Sequence, residues 1–198
     1  MVGSDTYQRI LNSALGCFLE NGVQRTTVEQ VRKRAGVSNG SFFHHFRTKQ
    51  DLAEAVYLRG LEEHQAALLA VLTPQVSLQA GVEGAVRRHL AWVEAQPELA
   101  AFLMAPPDWI TPRDVPRIAA CSREFFQAVA QWLRERGWDG TPDLGVVVAV
   151  WIGPVQEYTR SRLTSGAGLS HTAAAPLARA AWSALRSLLS TTISEDTR

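Results

Sequence analysis

Between Ala35 and Leu52 the sequence reads AGVSNGSFFHHFRTKQDL, which crowds three phenylalanines, two adjacent histidines, two serines, an asparagine and a lysine into one short stretch. Hydroxyl and amide groups can donate and accept hydrogen bonds, while imidazolium and ammonium groups favour anions. From Val23 to Lys49 there are six basic residues against Glu29 alone, a local footprint for a polyanion. The net charge of +1 conceals this: residues 1–60 hold eight basic and five acidic residues, the remainder twelve and fourteen.

Other chemistries find little support. There is no G-x-S-x-G, H-E-x-x-H or phosphate-cradling glycine loop, and His64, His89 and His171 are isolated along the chain, so no enzyme and no cofactor are expected. Cys17 and Cys121 stand 104 positions apart, without a C-x-x-C partner or histidines at zinc spacing, and read as free thiols rather than a disulfide or metal site. The longest apolar run, Leu144 to Val155, has 12 residues, whereas a membrane span needs about 20. With no export-like start, a soluble cytoplasmic protein is expected.

The elements that must position the crowded stretch follow from periodicity and caps. Tyr7, Ile10, Leu11, Ala14, Leu15 and Phe18 recur at helical spacing up to Asn21-Gly22. A short helix opens at Thr26 with Glu29 or at Thr27 with Gln30, carries Val28, Val31 and Ala35 inward, and stops at Gly36. Ser38 caps a third helix to about Phe46, and Thr48 with Asp51 caps a fourth to about Leu72. Further helices are expected near 77–95, 97–104, 112–137, 142–166 and 171–191, with Thr111-Pro112 and Thr141-Pro142 as start signals and a frayed tail. No segment alternates with period two, so the fold class is all-α.

A short helix, a glycine turn and a second helix make a helix-turn-helix. With TTVEQVRKRAGVSNGSFFHHFRTKQDL on the page, the chain resembles the tetracycline-repressor (TetR) family over residues 7 to about 58. That resemblance implies an N-terminal three-helix DNA-binding domain over 1–50, a connecting helix over about 49–72, and a helical-bundle ligand-binding and dimerisation domain over 51–198. It puts Ser38, Asn39, Gly40 and Ser41 at the start of the recognition helix, His45 and Lys49 on phosphates, and Thr27, Phe43 and His44 beside the DNA. Phe43 departs from the usual tyrosine, and Arg32 from the usual small residue; an arginine there should snorkel outward.

The larger part is rich in rings. His89 with Trp92, and Trp151 with Tyr158, share helical faces and with Phe102 and Trp109 are expected to line a cavity for a small apolar or aromatic effector. Gly153-Pro154 should kink its helix. The last helix has one stripe of Ala173, Leu177, Ala180, Ala184 and Leu188, and a second of Ala174, Ala178, Ala181, Leu185 and Leu189. A helix apolar on two fronts suits its own core plus a partner, and with Val146, Val150 and Leu163 this implies a homodimer through the last two helices. The expected function is a ligand-responsive regulator, a repressor released from palindromic double-stranded operator DNA by a small molecule. The alternative is a helical small-molecule-binding protein that has lost operator recognition.

Overall fold

The structure, a computed structural model, describes residues 2–105 and 108–195, with side chains placed over 5–105 and 108–189. Among the described residues every regular element is a helix: α1 (Val2–Arg25), α2 (Val28–Ala35), α3 (Asn39–His45), α4 (Lys49–Leu69), α5 (Leu78–Ala95), α6 (Pro97–Met104), α7 (Val115–Arg134), α8 (Leu144–Ser165) and α9 (Ala174–Glu195). None of them is long and apolar enough to cross a membrane. The last residues of the tail expected to fray, 196–198, lie outside the described residues.

Contacts divide the chain into two units, residues 1–62 with 98–121 and residues 63–97 with 122–198. In the first unit α1 supplies Ile10, Leu11, Ala14, Leu15 and Phe18, one apolar face, all buried. Buried in the same unit are Val31 and Ala35 of α2, which packs on α1, Phe42 of α3, Phe46, and Leu52, Ala53 and Val56 of α4. Val28, expected inward, is only half-buried. Full burial of a side chain such as Phe42 contributes about 1.5–3 kcal/mol, and this anchors a helix of seven residues that could not stand alone in water.

Gly22 breaks the helical geometry of α1 with φ 74° and ψ 156°. The buried Thr26 hydroxyl repairs the break by donating to the carbonyls of Gly22 (2.8 Å) and Cys17 (3.0 Å). This decides between the two cap candidates. Thr26 is consumed by α1, and Thr27 forms the capping box of α2 with Gln30.

Two start signals were misplaced. The Asp114 carboxylate accepts from both the N–H and the hydroxyl of Thr111 at 2.7 Å, so residues 111–114 close a turn and α7 opens at Val115 instead of Pro112. At α8 the N-cap is Asp143, whose Oδ1 accepts from Gly145 N and Val146 N, and the helix opens at Leu144. At α8 the aspartate beyond the proline displaces the threonine before it, because a carboxylate is a strong acceptor for free helix N–H groups; at α7 Asp114 instead ties Thr111 into the turn before the helix. The Gly153-Pro154 pair does not end α8, which continues as one helix with Pro154 on its exposed side.

In the second unit α5 packs against α8 and α9, and α8 against α9. Val82, Val86, Leu90, Leu133, Val147, Trp151, Val155, Ala178 and Leu185 belong to its core. Trp151 donates its indole N–H to the Val82 carbonyl at 2.9 Å and stacks at 6.1 Å on Trp132. Of the two α9 stripes, Ala178, Ala181 and Leu185 are buried, while Ala180 and Ala184 are exposed.

Candidate nucleic-acid interface

The turn between α2 and α3 is set by Gly36, whose φ of 64° is left-handed and whose N–H reaches the carbonyls of Arg32 and Lys33. The Val37 N–H follows to Arg32 O at 3.2 Å, completing a C-cap that closes the end of α2. Arg32 is half-buried and donates from Nη1 to Val37 O at 3.1 Å. The departure from a small residue is thus absorbed by a hydrogen bond to the turn itself. Replacing Gly36 with alanine is expected to destabilise the chain by about 1–2 kcal/mol, because an L side chain resists left-handed backbone. A thermal melt checks this, and an unchanged midpoint would refute it.

Ser38 then caps α3, its hydroxyl accepting from Ser41 N at 3.2 Å. Helical spacing puts Phe42 inward, with Phe46 beyond the helix end also buried, and leaves Asn39, Gly40, Phe43 and His44 exposed along one edge. Phe43 is 48% exposed, a large apolar ring facing outward. A Cβ at Gly40 would meet nothing within 4 Å, so the fold itself does not require glycine there. Ser41 and His45 are half-buried; the His45 ring stands edge-on to Tyr7 at 5.8 Å, and Tyr7 stacks on Phe46 at 5.2 Å. Tyr7 thereby orients His45 from α1, a role not anticipated from sequence.

Lys49 opens α4, and its ammonium group donates to Gln24 O at 2.7 Å, while Arg25 Nε donates to Asn21 O at 2.9 Å. Both cations meet carbonyls near the end of α1, where negative partial charge gathers. An ammonium has three donors, so Lys49 keeps two for other acceptors. Thr27 is exposed at the cap of α2, with its hydroxyl tied to Gln30.

Sequence reasoning missed the clamp on the start of α4. The cap pair Thr48 and Asp51 is present as expected, but Asp51 also pairs with Arg113, and buried Glu54 pairs with Arg117 at 2.6 Å. Gln50 Nε2 donates to Trp109 O at 2.8 Å and to Asp114 Oδ2 at 2.7 Å. These partners lie 59 to 64 positions away, beyond the reach of any spacing rule.

The six residues expected around an effector fall into both units. Phe102 and Trp109 belong to the first, where Phe102 stacks on Phe18 at 5.7 Å and Trp109 on Phe102 at 6.0 Å. His89, Trp92, Trp151 and Tyr158 belong to the second. Tyr158 is half-buried and its hydroxyl accepts from Ser170 N at 3.0 Å. His64 and His89, apart in sequence, are hydrogen-bonded at 2.9 Å, which corrects their description as isolated.

A capped helix set on a short glycine-turned helix, with its polar edge bare and basic groups around it, defines a helix-turn-helix protein. Residues 10–56 match the family model described as bacterial regulatory proteins, tetR family. It is 39% identical over 56 residues to the transposon Tn10 TetC protein of Escherichia coli, covering 28% of each chain. It is 32% identical over 108 residues to an HTH-type transcriptional repressor of Mycobacterium tuberculosis, covering 52% of this chain and 53% of the relative. The chain thus spans between a quarter and just over half the length of these curated relatives. In fold it is similar to the transcriptional regulator FadR from Bacillus subtilis, solved in complex with stearoyl-CoA, with a TM-score of 0.73, 16% identity, and coverage of 93% of this chain and 98% of that one.

Proposed function

We propose that this chain is a ligand-responsive transcription regulator, a cytoplasmic repressor that leaves a palindromic operator when a small molecule binds. The observation that carries the DNA-binding part is the outward edge of α3, where Asn39, Gly40, Phe43 and His44 are free of the core that Phe42 and Phe46 enter. Residues 1–50 read DNA. Ser38, Asn39 and Ser41 offer short donors and acceptors to base edges or phosphates, and Gly40 admits the DNA backbone closely. Thr27, His45 and Lys49 lie against phosphates, Lys49 with its remaining donors.

Phe43 carries no phosphate-binding hydroxyl and instead offers apolar contact to a thymine methyl or a sugar. Residues 51–198, reached through α4, hold the effector and the dimer face. The chain passes between the units inside α4, at the start of α6 and inside α7, which gives effector binding a covalent route to the DNA-reading unit. The FadR complex, alike in fold, supports a small-molecule effector.

Lys49→Ala is expected to weaken binding to all duplexes alike and to lower the salt slope by about one, since one phosphate contact is lost. Asn39→Ala is expected to relax base preference at one position by about 1–3 kcal/mol. Both are read by titrating duplexes at several salt concentrations. A Lys49→Ala protein altered only in sequence preference would reverse these roles, and a wild-type chain with no salt-dependent duplex binding would sink the proposal.

A further inference from the structure

A chain of hydrogen-bonded polar groups runs through the largely apolar core of the second unit. His64 of α4 meets His89 of α5, Nε2 to Nδ1, at 2.9 Å, and His89 Nε2 meets Thr159 Oγ1 of α8 at 3.0 Å. All three residues are buried. Burial pushes the His64 imidazole down to about 4, and burial with His64 alongside pushes His89 down to about 3, so both rings are neutral near pH 7. Each of the two links holds one proton, and the tautomers are therefore coupled. If Thr159 donates, His89 passes a proton toward His64, whose Nδ1 then carries the outer N–H. If Thr159 accepts, His64 Nδ1 is a bare acceptor.

The indole of Trp92 lies against the His64 ring, 4.8 Å between ring centres. Trp92 is 7% exposed, and its Nε1–H is buried without a hydrogen-bond partner. An indole nitrogen only donates. A buried donor left unpaired costs about 1–3 kcal/mol, a penalty that a bound acceptor removes.

We propose that the second unit takes an uncharged ligand with an apolar body and one accepting oxygen, which receives the Trp92 Nε1–H and meets His64 Nδ1. The proposal rests on the reading that this unit binds an effector, and it names the chemical class. A ketone, ester or amide oxygen pairs with the tautomer that donates from Nδ1; a phenol accepts from Trp92 and donates to the bare Nδ1. A carboxylate is disfavoured, because neutral imidazoles supply no cation to offset its desolvation. Thr159 acts as the positioning residue that lets the chain run in either direction.

The test uses the full chain, 15N-labelled at tryptophan, with four matched probes: 2-acetylnaphthalene, 2-naphthol, 2-naphthoate and 2-ethylnaphthalene. Six indole resonances are expected, and Trp92→Phe assigns one of them while keeping an aromatic ring. The ketone and the phenol should shift the Trp92 resonance and bind roughly tenfold more tightly than the carboxylate and the hydrocarbon. Trp92→Phe, shown by circular dichroism to remain folded, should erase that preference. Equal binding of all four, preference for the carboxylate, binding that leaves Trp92 unmoved, or no binding by any probe overturns the proposed class. Duplex release is measured in parallel. Release without the acceptor preference leaves the effector reading standing and removes the class, whereas the preference without release does the reverse.

Discussion

For the dimer proposed above, Ala184→Arg is expected to give a monomer and to weaken operator binding by roughly 10²- to 10⁴-fold, the avidity lost when two linked heads become one. Ala184 and Ala180 are exposed on α9, between half-buried Leu177 and Leu188, while the neighbouring stripe of Ala178, Ala181 and Leu185 fills the core of the unit. Val146 on α8 is 41% exposed. These exposed apolar residues are what a two-fold partner would cover. Across an isologous contact each subunit contributes the same patch, so one substitution introduces two unpaired charges. The side chain is exposed within one subunit, so the fold itself should survive. Sedimentation and duplex titration decide the matter: an Ala184→Arg protein that remains dimeric, or a monomer with full operator affinity, would refute this dimer face.

Gly81→Val is expected to cost about 3 kcal/mol, at the upper end of ordinary overpacking, and to lower the melting midpoint by roughly 6–12 °C. A Cβ at position 81 would stand 2.3 Å from Cζ2 of Trp132. That ring has nowhere to go. Its Nε1–H is held by Thr73 O at 3.2 Å, one side stacks on Trp151, and the Arg136 guanidinium lies 4.2 Å from its centre. Arg136 is itself fixed, donating to the carbonyls of Thr73, Pro74, Val76 and Trp132. Gly84, one helical turn away, gives the control. A Cβ there meets Val71 at an ordinary 3.7 Å, and Gly84→Ala should stabilise by up to about 1 kcal/mol through helix propensity. Calorimetry showing the same sign for both substitutions would refute this account of α5.

The helix-turn-helix was legible because its signals are local. Gly36, the Thr27–Gln30 and Thr48–Asp51 boxes and the Ser38 cap each act over three or four residues, a range within which backbone geometry fixes which groups can meet. The same locality explains the errors at α7 and α8. Threonine before proline is a sound start signal in isolation, but Asp114 and Asp143 stand only three and two residues further on.

On α9 the sequence showed two apolar stripes, and periodicity cannot say which one faces inward. Packing against α5 and α8 chose Ala178, Ala181 and Leu185. Composition likewise marked Phe102 and Trp109 as part of a ring-rich segment without revealing that they stack in series with Phe18 in the first unit. The pairs Asp51 with Arg113, Glu54 with Arg117, and His64 with His89 join residues 25 to 63 positions apart. The sequence alone therefore determined the order of helices, the local caps of α3 and α4 and the family resemblance of the N-terminal segment. Which buried charges and imidazoles meet was decided by the tertiary structure, because such contacts depend on how whole helices are oriented, and no property of the intervening residues encodes that distance.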